Sequence, residues 1–388
     1  VLLAALCLAG CLICACLPTS RALGATTAPS DLSLNARRLL RTSSGALSVS
    51  GTHWLRRSAD NQYTVQHGSS PQITLTGIPS GPQRIKQSGP YSLIGGTVFV
   101  AAPKNTARLV LRTGTANTDL FGPHVVWSTA DGQIRQQYLN PEGPAKKVLA
   151  RTGAAGPVAV WGPRSAWLDT SGRIHVAGRL GFERRTVPAG PRAHDLRLNY
   201  ATLSWTAGDG SIHVMNLGES EPRGRRVDLH PPYAIDGQRI AGIDASGRVH
   251  VQNLPFRVGR QAPWIISAQT TATIRSGRPW KPRFDVSKPV RNAKLVIYGS
   301  GSPTGTLTSP ARYGTVGGLR WDGKDASGRA AAPICYNWVF SAEAVDGSGP
   351  VISDLGPHPA GSLNVTPAGG DGGIGMGCFL DLGPQGSG

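Results

Sequence analysis

The sequence predicts an all-β chain, a six-bladed β-propeller with seven blades left open, followed by a smaller β-sandwich. Three observations predict it. Gly (51) and Pro (30) are abundant in the 388 residues while only 16% are charged, a composition that argues against helical bundles and coiled coils. A glycine-centred hairpin recurs through the first two thirds of the chain, and four short strand-like runs fill each interval between recurrences.

The recurring hairpin reads SADNQYTV (58–65), LIGGTVFV (93–100), TADGQIRQ (129–136), TSGRIHVA (170–177), GDGSIHVM (208–215) and ASGRVHVQ (245–252). Taking Asn61, Gly96, Gly132, Gly172, Gly210 and Gly247 as equivalent, the steps run from 35 to 40 residues, the length of one propeller blade. Tight hairpin turns demand positive φ, which Gly and Asn tolerate best. Residues 157–162, 165–169, 173–179 and 184–188 illustrate the four strands of one unit. The outermost strand repeats as well: ARLVLRTG (107–114) and KKVLARTG (146–153) match ARRLLRTS (36–43), which suggests ring closure by exchange between the termini. The propeller is therefore assigned to 36–268, with a seventh blade if 269–278 and the first strand supply a partial one. It resembles the TolB-like and YVTN-like propellers of secreted bacterial, actinobacterial-like proteins.

Residues 1–17 carry no charge and are followed by Pro18, Arg21 and a small-residue stretch, which reads as a secretory signal covering 1–25. A spanning helix needs about 20 apolar residues, so cleavage is favoured over a retained anchor. The expected destination is secreted or extracellular, with no stable membrane span after cleavage. An alternative is a lipoprotein anchored through Cys11, since Leu8 to Cys11 resembles a bacterial lipobox. Cys7, Cys11, Cys14 and Cys16 all lie in the signal, and cleavage leaves Cys335 and Cys378. An even pair in an exported protein suggests one disulfide.

After residue 278 the period ends. RFDVSKPVRNAKLVIYG (283–299) reads as two strands around a Lys288-Pro289 turn, and WDGKDASGR (321–329) is followed by Tyr336, Trp338 and Asp346-Gly347. These motifs resemble the Ig-like module known from the flagellar hook-capping protein FlgD, over residues 280–365. The chain departs from that pattern at Ile334, where the family usually has Gly. Ile334, Tyr336, Trp338 and Phe340 are expected on one face of a strand, which leaves Cys335 pointing outward, within reach of Cys378 in the Gly-rich tail, 366–388. Closing that loop stabilises by about 3–4 kcal/mol in the chain-entropy picture. Asp322 and Asp325 lack the spacing and late Glu of an EF-hand, so they are read as turn residues and no metal site is assigned.

His175, His213 and His250 hold one position in consecutive repeats, on third strands too far apart to share an ion, and are read as packing. Asp119, Asp195 and Asp236 fall on or beside innermost strands, where paired carboxylates would suit glycoside hydrolysis; turn chemistry is the favoured reading. No G-x-S-x-G elbow, Walker loop, H-E-x-x-H or Cys-His cluster is present, and no cofactor is implied. Cations recur on or beside the outer strands: Arg108, Lys146, Lys147, Arg184, Arg185, Arg225, Arg226 and Arg260. With a net charge of +18, they predict a basic rim drawn to polyanions, although cations on edge strands also guard against edge-to-edge pairing. The partner expected is an anionic cell-envelope polymer or an envelope protein, with no sequence-specific nucleic acid. The expected function is an exported noncatalytic binding or scaffold protein; the alternative is a carbohydrate-active enzyme, glycosidase or lyase, using the channel carboxylates.

Overall fold

The computed structural model describes residues 46–367 apart from 51–52, 59, 68–70, 79–82, 103–105, 140–145, 179–184, 260, 270–272, 311–313, 326 and 354–358. The chain is all-β and propeller-like, a succession of small antiparallel sheets. The first meander comprises β1 (Ala46–Ser50), β2 (His53–Arg57), β3 (Tyr63–His67) and β4 (Ile73–Leu75). The second comprises β5 (Ile85–Ser88), β6 (Tyr91–Ile94), β7 (Thr97–Ala102) and β8 (Thr106–Arg112). The third is β9 (Thr118–Phe121), β10 (His124–Ser128), β11 (Gln133–Tyr138) and β12 (Lys147–Arg151). The fourth is β13 (Val158–Trp161), β14 (Arg164–Leu168), β15 (Arg173–Ala177) and β16 (Arg185–Pro188). The fifth is β17 (His194–Asn199), β18 (Thr202–Thr206), β19 (Ile212–Asn216) and β20 (Arg225–Val227). β21 (His230–Asp236), β22 (Arg239–Ile243) and β23 (Val249–Asn253) form the last.

The expected hairpins are the second-to-third-strand turns. Asn61, Gly132, Gly172, Gly210 and Gly247 all take positive φ, from 60° to 83°. In the second meander Gly95 (φ 57°) does so, one residue before the expected Gly96. In the fourth and sixth meanders the residue opening the turn holds it shut: Asp169 Oδ1 accepts from the backbone N–H groups of Ser171 and Arg173, and Asp244 Oδ1 from those of Ser246 and Arg248. Apolar residues alternate along the strands and meet between neighbouring sheets. Leu55, Val65, Ile94 and Phe99 join the first and second meanders; Leu93, Val98, Leu120 and Trp127 join the second and third. The first strands therefore pack side by side, β1 on β5, β5 on β9, β9 on β13 and β13 on β17.

The C-terminal unit has two sheets around one core. β24 (Ile265–Gln269), β26 (Arg283–Val286) and β29 (Thr315–Val316) form one. β25 (Thr273–Arg275), β31 (Ala360–Thr366), β30 (Cys335–Ala344), β27 (Val290–Gly299) and β28 (Ser302–Ser309) form the other, in that order. Trp280, Phe284, Leu295, Trp338 and Phe340 are buried between them. Because β25 pairs in parallel with β31, this strand belongs to the C-terminal unit and adds no partial blade to the repeats. Tyr336, Trp338 and Phe340 face the core as expected, whereas Ile334 is 39% exposed. The reason is local: Ile334 precedes the strand, in a bend where its N–H donates to Ala332 O. Residues 1–45, including the expected signal and the first copy of the outer-strand motif, and the tail beyond 367 lie outside the described residues.

Candidate functional site

Three positions back from the turn that ends each first strand stand Ser48, Lys86, Asp119, Ala159, Arg197 and Ala234. Alternation points such side chains toward the next meander, and the polar ones bond there. Ser48 Oγ accepts from Gln87 N–H at 2.8 Å. Lys86 Nζ donates to both Asp119 oxygens, at 2.8 and 3.1 Å. Asp119, 1% exposed, accepts in turn from Val160 N–H at 2.8 Å. Arg197 Nη1 donates to Tyr233 O on β21. These are staples between innermost strands, and Asp119 is one of them.

Asp195 sits at φ 49° where the β17–β18 register shifts. That irregularity turns its carboxylate onto Arg197, with Nε–Oδ1 at 3.2 Å and Nη2–Oδ2 at 2.9 Å. The guanidinium lies 4.4 Å from the centre of the Tyr233 ring, and the Tyr233 hydroxyl donates to Asp195 O at 2.9 Å. Burial works against the Arg197 charge, yet Asp195, Tyr233 and Asp119 outweigh it and hold its pKa above the ordinary value. Burial pushes the Tyr233 phenol up. Asp236 ends β21 beside Gly237, as a turn residue should; its side chain lies outside the described ones. Among the described residues the two placed carboxylates are each paired with a cation, Asp119 with Lys86 and Asp195 with Arg197.

The turns that end the first strands, opposite the second-to-third-strand hairpins, form a second equivalent set, which the sequence reading missed. Gly89, Gly122, Gly162, Tyr200 and Gly237 take φ between 53° and 54°. The legible signal was a repeated Gly-Pro at 89–90, 122–123 and 162–163. The C-terminal unit lies against this set. A Cβ added at Gly89 would come within 2.7 Å of Ile266 Cγ2, and one at Gly122 within 2.8 Å of Ile266 O. Trp264 lies over Gly162 and meets Trp161 edge-on at 5.7 Å. The Tyr200 hydroxyl hydrogen-bonds Ser287 at 2.8 Å. At the first meander, buried His53 bonds buried Asp285 at 3.1 Å, and Asp285 also accepts from Thr315 at 2.9 Å.

Two of the three repeat histidines pack on a cross-strand ring of their own sheet. His175 stacks on its cross-strand partner Trp167 and bonds Asp169 at 2.7 Å, and His213 stacks on Trp205. His250 faces Gly242, which offers no ring. Burial pushes the His213 imidazole below its ordinary value. In the C-terminal unit, Asp322 and Asp325 accept backbone N–H bonds from Lys324, Ser327 and Arg329, which is turn chemistry.

The outer cations divide in two. Arg108, Lys146, Lys147 and Arg226 are exposed. Arg225 is bound into the packing, bonded to the Glu219 carboxylate at 3.1 and 3.2 Å and lying over the Phe256 ring. Arg185 donates to Glu219 O at 3.2 Å. Arg184, Arg260 and Cys378 lie outside the described residues; Cys335 is exposed at the start of β30.

No family model matches the chain, and no curated protein matches it. Solved structures do, at low similarity. Human WBSCR16 matches with TM-score 0.37 and 11% identity, over 48% of this chain and 67% of that one. BamB from Moraxella catarrhalis matches with TM-score 0.33 and 12% identity, over 54% and 82%. PorZ of Porphyromonas gingivalis, described as an essential surface component of the type-IX secretion system, matches with TM-score 0.36 and 8% identity, over 81% and 44%. Likeness at this level says nothing of what the chain binds.

Proposed function

We propose that the chain is an exported, noncatalytic binding or scaffold protein of the cell envelope, a six-bladed propeller carrying a FlgD-like Ig-like module. In this reading its outer strands attract an anionic envelope polymer, and a Cys335–Cys378 disulfide ties the tail to the module. The observation that carries it is the matched exposure of cations on successive outer strands. Arg108 on β8 and Lys147 on β12 occupy the same register, each next to a register shift, and both are exposed. A bulged, charged edge resists pairing with another strand, and the same charges, added to a net +18, concentrate polyanions near the surface. Commitment of Asp119 and Asp195 to cations weighs against the carbohydrate-active alternative, since glycoside hydrolysis needs one carboxyl free to carry a proton.

The test is retention on isolated envelope fractions across a salt series, with a triple variant R108Q/K147Q/R226Q. These positions are exposed, so the fold should survive; Arg225 is spared because it packs between meanders. Retention should collapse as the Debye length falls from about 10 Å at 0.1 M to about 3 Å at 1 M salt, and the variant should elute at lower salt. Salt-independent retention, or a variant that elutes with the wild type, refutes the reading.

A further inference from the structure

We propose that the channel between the innermost strands is a one-ended cup whose open mouth binds an oxyanion, a carboxylate or phosphate group, on the Arg84 guanidinium with Lys86 and Arg197 beside it. The proposal concerns the channel and stands independently of the outer-strand reading.

Exposure along the innermost strands shows which end is open. At the turn end, Gln87, Ser88, Phe121 and Trp161 are buried, and Trp264 and Ile266 lie against the turns. At the opposite end, the side chains of Arg84, Lys86, Arg197 and Asp195 are 40%, 23%, 34% and 26% exposed. A solute therefore enters from the end that carries these charges.

The charges at that mouth leave a cationic surplus of a specific kind. Asp195 is taken by the Arg197 fork, and Asp119 by Lys86 and the Val160 N–H. Arg84 is left over. Its nearest carboxylate approach is 3.7 Å, to Asp119, and among the described residues its guanidinium makes no hydrogen bond. A guanidinium presents a planar fork of donors that fits the two oxygens of a carboxylate or phosphate. The groups are joined by contacts: Arg84 and Lys86 both reach Asp119, at 3.7 and 2.8 Å, while Arg197 holds Asp195 at 2.9 Å and lies 4.4 Å from the centre of the Tyr233 ring. At the same register, Ala159 and Ala234 add no bulk. Lys86 and Arg197 cannot be the primary ligand, because each is already satisfied by a carboxylate; they supply field, and Arg84 supplies the hydrogen bonds.

The experiment titrates the full chain with inorganic phosphate and, separately, with glucuronate, at constant ionic strength held by chloride, and follows binding by calorimetry. The wild type should bind at least one probe; which one distinguishes a phosphate from a carboxylate source. Arg84→Gln should weaken that binding about tenfold or more, the scale of hydrogen bonds to a charged group, with an unchanged melting temperature. Arg84→Lys, which keeps the charge and loses the fork, should fall between. The triple outer-strand variant should bind the probes as the wild type does, so loss of envelope retention and loss of channel binding are separable. Absence of binding by both probes, or equal binding by wild type and Arg84→Gln, overturns the proposal.

Discussion

Asp169 in the fourth meander and Asp325 in the C-terminal unit make the same turn: each carboxylate accepts from the N–H groups two and four residues ahead, and Gly172 and Gly328 follow with φ 75° and 80°. Around that shared turn the packing diverges. In the fourth meander Ile174 and Val176 are buried on one face of β15, and their cluster runs on into the third and fifth meanders. In the C-terminal unit Phe284 stacks on Phe340 at 4.0 Å, and Trp280, Trp338 and Trp321 close the same core. A turn is a local device that works in any surroundings, whereas a core takes its form from the architecture. In the repeats it is spread over many sheets; in the sandwich it is concentrated.

The largest test of that contrast is in the sandwich. Phe340→Ala should cost about 3–5 kcal/mol by leaving a cavity in a core with little room to collapse. Ile174→Val, in the shared core of the repeats, should cost only about 0.5–1.5 kcal/mol. Denaturant unfolding followed by tryptophan fluorescence measures both; a loss at Phe340 well below its range would mean that the sandwich core is not concentrated on this ring.

The junction comes next. Asp285 is almost fully buried; burial raises its pKa, but the His53 hydrogen bond, the His53 and Arg283 charges and the Thr315 hydrogen bond outweigh this and hold it below the ordinary 3.8. A depressed carboxyl stabilises the folded state above its unfolded-state pKa, and the contribution is lost as pH falls through the folded value. Asp285→Asn should therefore destabilise by about 3 kcal/mol near neutrality, the cost of breaking a buried pair. Below pH 3.8 the gap between wild type and variant should narrow, as urea midpoints across a pH series would show. A gap that is constant with pH would mean that the pair contributes no charge-dependent stability.

The smallest effect separates two neighbours on β20. Arg225→Gln gives up the Glu219 pair and the Phe256 contact and should cost up to about 1 kcal/mol. Arg226→Gln, on an exposed side chain, should leave the melting temperature unchanged. If both are silent, the division of the outer cations into packed and exposed sets is wrong.

Much of this was legible in the sequence. The repeat period, the hairpin turns, the alternating strands and the cations of the outer strands depend on residues a few positions apart, where backbone sterics and side-chain alternation act directly. Two misplacements show where such reasoning stops. Gly95 takes the left-handed conformation in place of Gly96 because adjacent glycines permit either register. Ile334 continues the apolar alternation of β30 but sits in the bend before the strand, where its N–H donates to Ala332 O, and it stays exposed although its carbonyl accepts from Val365 N–H.

Sequence alone determined the class of the fold and the chemistry of its turns, because those are local. Only the tertiary structure decided that Trp264, Ile266 and Asp285 seat against the turns of the meanders, that His53 meets Asp285 across 232 positions, that Arg84 and Lys86 both reach Asp119, and that Arg197 lies over the Tyr233 ring. The physical reason is that a charge carries no mark of its eventual partner. Asp119 and Asp195 read as equals in the chain, and the positions of Lys86, Val160 and Arg197 around them set what each one does.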